Sequence, residues 1–280
     1  MLMLYEHLIV PFDGSAAARA VLGATARLTD RLDAHLVVLT SGDLPGEDTL
    51  RELKARAIAM SEANVEVWID AQRSPADAVA GAVAHRPRSL VCMATHARLG
   101  IARIIAGSVA EWVLRCIDEP VLLFGPHWDG ADPASLGEVV VCVDGPDVAG
   151  EVVTLAVAWA RAFDVPCRLV HVGDDPAAFD RLAELAATAA TEVRSPEVIV
   201  APGDDPVAGI VDVLASHPGA LAVLGIHPRR GLERLRAGSV AMSVVGRVPT
   251  PVLVAHAGVL LPEVEAPPAD TAEGLSQRPS

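Results

Sequence analysis

Leu8-Ile9-Val10-Pro11-Phe12-Asp13-Gly14, near the start of the chain, is written a second time as Val139-Val140-Val141-Cys142-Val143-Asp144-Gly145. Each is a short, almost wholly apolar run that ends on an acidic residue and a glycine. Such a run reads as a strand buried on both faces, followed by a turn. The spacing between the copies is 131 residues, and other segments keep it. Gly107-Ser108-Val109-Ala110 returns as Gly238-Ser239-Val240-Ala241, Pro120-Val121-Leu122 as Pro251-Val252-Leu253, and Ser74-Pro75 as Asp205-Pro206. In the middle of each half the best match slips by one residue, Leu36-Val37-Val38-Leu39 falling on Arg168-Leu169-Val170-His171. A repeat of this length is domain-sized rather than a solenoid unit.

Working outward, each half alternates strands with helices. Strands are expected at His7–Phe12, His35–Thr40, Val65–Ala71, Leu90–Ala94 and Pro120–Phe124, and helices over Ala16–Leu32 and Asp48–Ala63. Ser74-Pro75 and Asp205-Pro206 each combine an N-cap residue with proline at the first helical position. Ser108 and Ser239 precede Val-Ala runs, again as helix starts. Strands and helices in alternation, with the strands apolar throughout, give an α/β fold with a parallel sheet covered on both faces. Two domains follow, residues 1–125 and 137–257. Residues 126–136, with Pro126, Gly130 and Pro133, form a linker, and residues 262–280 a disordered Pro-, Glu-, Ala- and Ser-rich tail.

Composition narrows the function. The chain has 280 residues, 51% hydrophobic, and a formal net charge of −14. That charge repels nucleic acid and anionic membranes, and 3% aromatics leaves few platforms for stacking bases. No apolar run approaches a membrane span, and Met1 to Val10 carries no basic leader, so a soluble cytoplasmic protein is expected. The four cysteines form no Cys-x-x-Cys pair and are expected to be buried and reduced. The nine histidines are scattered, so no metal site is expected. Phosphate-binding lysine loops, dinucleotide fingerprints and nucleophile elbows are all missing from the sequence, and no positioned acid, base and nucleophile is visible, so the chain reads as a non-enzyme.

In an open parallel sheet, ligands sit beyond the carboxyl ends of the strands, where successive connections leave in opposite directions. There the first strand carries Asp13-Gly14-Ser15, and the fourth leads through Ala94-Thr95-His96-Ala97 to Gly107-Ser108. A helix N-terminus entered by Gly-Ser offers unpaired backbone N–H groups to an anion. Asp13 can accept hydrogen bonds from a nucleoside. The same residues also serve as plain helix caps, and both readings stay open at this level.

The strand Leu-Ile-Val-Pro-Phe-Asp-Gly-Ser, followed by Thr-His-Ala-Arg-Leu-Gly-Ile-Ala-Arg-Ile-Ile-Ala-Gly-Ser-Val-Ala-Glu and closed by Glu-Pro-Val-Leu-Leu-Phe, resembles the universal stress protein family over residues 5–125, and again over 137–257. The resemblance implies two tandem five-stranded domains of the adenine-nucleotide α-hydrolase-like type, strand order 3-2-1-4-5. It implies an acidic residue after the first strand that contacts a nucleoside. It also implies a loop Gly-x2-Gly-x9-Gly-Ser/Thr that holds phosphates and metal, so ATP with Mg²⁺ is the implied cofactor. By position this assigns nucleotide binding to Asp13, Gly14, Ser15, Ala94, Ala97, Gly107 and Ser108 in the first half, and to Asp144, Gly225, Gly238 and Ser239 in the second. The glycines are incomplete: Ala94 and Ala97 replace both in the first half, and Pro228 replaces one in the second. A Cβ penalises positive φ, and proline removes an N–H. The expected function is therefore weak or one-sided adenine-nucleotide binding by a non-catalytic stress-response protein folded as an internal pseudo-dimer. The alternative is a degenerate member that has lost the nucleotide and acts as a protein-interaction module. An unidentified protein partner and further homo-oligomerisation belong to both. Arg98, Arg103, Arg229, Arg230, Arg234 and Arg236 are either a phosphate clamp or partner patch, or a solvated loop face, and His96 and His227 are read as loop structure.

Overall fold

A computed structural model describes residues 4–41, 64–95, 108–143, 146–190, 196–226 and 239–256, with Val193 and isolated positions between 51 and 59. The first half contributes β1 (His7–Pro11), α1 (Ala16–Leu32), β2 (His35–Ser41), β3 (Val65–Asp70), α2 (Pro75–Ala84), β4 (Ser89–Ala94), α3 (Ser108–Cys116) and β5 (Val121–Phe124). The second contributes β6 (Glu138–Cys142), α4 (Pro146–Phe163), β7 (Cys167–Val172), α5 (Ala178–Ala189), β8 (Glu197–Ala201), α6 (Pro206–Ala215), β9 (Ala220–Ile226), α7 (Ser239–Val245) and β10 (Val252–His256). Of the helix expected over Asp48–Ala63, Arg51, Lys54, Ala55, Ile58 and Ala59 are helical, and the other positions lie outside the described residues. Among the described residues no helix is long and apolar enough to cross a membrane.

Local chemistry fixes the helix ends. Ser15 caps α1, its Oγ accepting the Ala18 N–H at 3.1 Å. Ser74 caps α2 and Asp205 caps α6, each with proline in the first turn. Asp205 Oδ1 accepts N–H groups from Val207 and Ala208, at 2.9 and 3.2 Å.

All ten strands form one sheet, in the order β3-β2-β1-β4-β5-β10-β9-β6-β7-β8. Pairing is parallel inside each half. Between the halves, β5 and β10 pair antiparallel, with Leu122 opposite Leu253. The two fifth strands thus cover each other's edge, which removes two exposed ladders. The ladders also correct the one-residue slip. Leu36 lies opposite Leu8, and Cys167 lies opposite Val139, so the second strand of each half keeps the spacing of 131. A slip would turn every side chain of that strand to the opposite face.

Alternate strand residues feed two core layers, each continuous across both halves. Leu8, Val10, Leu36 and Val141 pack under α1, α4 and α5; Ile9, Val37, Val140 and Val252 pack under α2, α3, α6 and α7. The halves are further tied by side chains. Trp159, fully buried, donates its Nε1–H to Tyr5 Oη at 3.0 Å and stacks on Phe163. Arg31 lies over the Phe163 ring and donates to the Ala162 carbonyl at 3.0 Å. His256 donates from Nε2 to the Leu114 carbonyl at 2.7 Å. At the position equivalent to His256, Gly125 sits against the Val245 carbonyl, the equivalent of Leu114. Residues 126–136 pack rather than loop free: Trp128 meets Phe124 edge-on, Asp132 pairs with Arg27 at 2.9 Å, and Leu136 is buried.

Candidate nucleotide site

β1 pairs with β2 on one side and β4 on the other. The chain leaves β1 for α1 in one layer and returns after β4 to α3 in the other. This makes the β1–β4 boundary the switch point, and in folds of this kind the ligand crevice lies beyond the carboxyl ends of these two strands.

Asp13, Gly14 and Ser15 stand at its rim. Phe12 extends β1 by one bond, its N–H meeting the Leu39 carbonyl at 2.7 Å. Asp13 is exposed, and its Oδ1 accepts the Ser15 N–H at 2.9 Å. Gly14 has φ +77°, a conformation that glycine adopts without penalty. Arg19 reaches back to the Gly14 carbonyl. Ser15 is committed as the α1 cap, so its role is at least structural.

Ala94 ends β4, half-buried and paired in register with Phe124. Among the described residues, positive φ outside glycine occurs only at Asp33, Arg88 and Asp164. Ala94 therefore has ordinary strand geometry, as does its counterpart Gly225, opposite Ala255 in β10. The expected conformational penalty for alanine does not arise at Ala94, because this position lies within the ladder and not in the loop. Beyond it, Thr95 N–H bonds to the Phe124 carbonyl at 2.9 Å.

Ser108 and Ser239 are the first residues of α3 and α7, and Ser239 is exposed. Ala97, Gly107, Asp144, Pro228 and Gly238 lie outside the described residues. So do His96, His227 and the arginines of both loops.

The equivalent place in the second half holds a residue that sequence reasoning overlooked. His171, at the carboxyl end of β7, donates from Nδ1 to the Val143 carbonyl at 3.0 Å, immediately before Asp144. Thr40 takes this place in the first half and is buried. The signal was the departure of one repeat from the other, and the slipped match hid it by setting Leu39 against His171.

Among the described residues no group of three or more His, Cys, Asp or Glu side chains is placed to hold a metal ion. Cys92 and Cys167 are buried, and burial pushes each thiol up to about 12. Cys116 departs from the expected burial. It lies at the exposed end of α3, one turn from Trp112, which is also exposed.

Comparison with known proteins agrees with this architecture. A model of the universal stress protein family matches residues 4–125 and 136–256. No curated protein matches the chain. Among solved structures, a universal stress protein from Archaeoglobus fulgidus DSM 4304 is 19% identical, with a TM-score of 0.75, covering 90% of this chain and 99% of that one. A functionally unknown protein from Pseudomonas aeruginosa PAO1 is 16% identical, with a TM-score of 0.70, covering 90% and 93%. The cytoplasmic domain of a prokaryotic cation chloride cotransporter is 14% identical, with a TM-score of 0.57, covering 89% and 95%. At these identities the likenesses concern the fold. The two family matches fill both halves of the sheet, and the chain belongs to the universal stress protein family as a tandem member.

Proposed function

We propose that this chain is a non-catalytic, cytoplasmic stress-response protein that binds an adenine nucleotide weakly, and in the first half. The supporting observation is the β1–β4 switch point, where Asp13 is exposed and Ala94 keeps plain strand geometry. Replacing glycine there adds one methyl group and leaves the backbone path intact. Asp13 would meet the nucleoside, and Ser108 with the N–H groups of the preceding loop would meet phosphate and Mg²⁺. The second half is poorer in donors, because Pro228 has no N–H. The antiparallel β5–β10 seam supports a pseudo-dimer in which occupancy of one half changes contacts with a protein partner.

The alternative reading, an interaction module without nucleotide, draws on the same Pro228 and on Ala97. Freshly purified chain is denatured, released nucleotide is measured by mass spectrometry, and ATP–Mg²⁺ is titrated by calorimetry. Saturable binding is expected that weakens at least tenfold in Asp13→Ala and little in Asp144→Ala. No released nucleotide and no heat at millimolar ATP would refute the proposal and leave the module. Equal losses in both variants would refute its one-sidedness.

A further inference from the structure

At the other end of the sheet, by the amino ends of β1–β3, the two halves differ at matched positions. In the second half Glu138, Arg168, Glu197 and His217 form a closed set. Arg168 bonds both Glu138 and Glu197, and His217 Nδ1 lies 2.9 Å from Glu138 Oε1. Two carboxylates are thus served by one guanidinium and one imidazole.

The equivalent positions in the first half are His7, Val37, Glu66 and Arg86. Arg86 bonds Glu66 at 2.6 Å and lies over the Trp68 ring at 4.1 Å, with its side chain only 11% exposed. One guanidinium, one imidazole and one carboxylate are present, so the set is one carboxylate short. Open space lies beside them. A groove of about 590 Å³ is lined by His7, Glu66, Trp68, His85 and Arg86, with Val67 and Ile69. That volume suits a small molecule. His7 Nδ1 is buried and has no hydrogen-bond partner, and His7 lines the groove through its other atoms. An unpaired buried N–H is costly, which places the proton on Nε2, where it can donate outward. Arg86 uses donors on Glu66 and on the Ala82 carbonyl, and a guanidinium has five.

We propose that this groove binds a small carboxylate with an apolar or aromatic body. Its carboxylate does for the imidazole and the guanidinium what Glu138 does in the second half, accepting from His7 Nε2 and from Arg86. Its body packs against Trp68. The site is independent of the nucleotide crevice.

Benzoate is the probe, with benzamide as its uncharged counterpart of nearly the same shape. Both are titrated into the full chain by calorimetry and by tryptophan fluorescence. Benzoate should saturate, benzamide should bind at least tenfold more weakly, and Trp68→Phe should remove the fluorescence change. His7→Glu supplies the missing carboxylate from the chain itself. It should weaken benzoate at least tenfold while the thermal midpoint holds or rises. His7→Phe, which keeps a ring without nitrogens, should show the same loss if His7→Glu does not fold. Benzoate that fails to saturate at millimolar concentration, benzamide that binds equally well, or undiminished binding to the folded His7 variant would each overturn the proposal.

Discussion

Gly125→Ala tests the seam between the halves. A Cβ at Gly125 would lie 2.0 Å from the Val245 carbonyl oxygen and 3.1 Å from its carbon. Ordinary carbon–oxygen contacts lie at roughly 3.3–3.6 Å, so the chain must open by more than ~1 Å there. Neither side can yield by turning a side chain, because both partners are backbone. Gly125 is not among the positive-φ residues, so the effect is steric rather than conformational. Overpacking costs about 1–3 kcal/mol, and a backbone-on-backbone clash belongs at the upper end. At about 2–4 °C per kcal/mol for a chain of this size, the melting midpoint should fall by roughly 6–12 °C. Gly150→Ala is the matched control. It lies in α4 with nothing within 4 Å of the added Cβ. The same methyl there should raise stability by about 0.5–1 kcal/mol, since alanine is the better helix former. Differential scanning calorimetry on the full chain reads both. A Gly125→Ala midpoint within about a degree of the parent would refute the seam's close approach.

Other perturbations give separate readings. Tyr5→Phe leaves the buried Trp159 N–H without its acceptor and should cost about 1–3 kcal/mol in urea unfolding, where an unchanged midpoint would contradict the bond. Ala94→Gly alone should alter ATP affinity less than about threefold, since no positive φ is relieved, and a tenfold gain would show that the methyl itself blocks the site. Stability should fall in alkali: above pH 9 the Cys92, Cys142 and Cys167 thiols ionise in the unfolded chain but stay protonated in the folded one up to about 12. The unfolded state then binds fewer protons, and the slope is about −1.4 kcal/mol per pH unit for each thiol. Urea midpoints followed from about pH 8 to about pH 10 check this, with the per-unit loss reduced by roughly a third in Cys92→Ala.

Much of the architecture was legible because it is governed by short-range chemistry. The helix read at Ala16–Leu32 is where α1 lies, and there the structure adds Ser15 as its cap. Ser74-Pro75 and Asp205-Pro206 marked two further helix starts for the same reason. Strand register was not legible. Leu-Val-Val-Leu looks more like Arg-Leu-Val-His read one residue late than like the Cys-Arg-Leu-Val that actually matches it, since a continuously apolar strand has no internal register mark. The geometry at Ala94 was hidden too, because a motif read as a loop begins inside a ladder. The groove at the amino ends was wholly invisible. It draws on β1, β3 and the end of α2, and its meaning depends on an ion network in the other half. With the slip in place, Val37 would not have been set against Arg168.

The corrected register gives the two halves different work. At the amino ends the second half closes its own charges through Arg168, and the first leaves His7 and Arg86 facing open space. At the carboxyl ends the second half places His171 against the Val143 carbonyl and carries Pro228, while the first half keeps a buried Thr40 and an exposed Asp13. Both differences point the same way: the second half satisfies itself, and the first retains room and unused donors. The stacked pair Trp159 and Phe163, which receives Tyr5 and Arg31 from the first half, also lies in the second. On this reasoning the second half anchors the sheet and the first does the binding. Substitutions at matched positions should then separate by readout. His7 and Asp13 variants should change ligand affinity with little change in melting, whereas Glu138→Gln, which breaks a closed ion network, should lower the melting midpoint and leave ATP and benzoate titrations unchanged. A Glu138→Gln chain that melts like the parent but loses either ligand would reverse the assignment of roles.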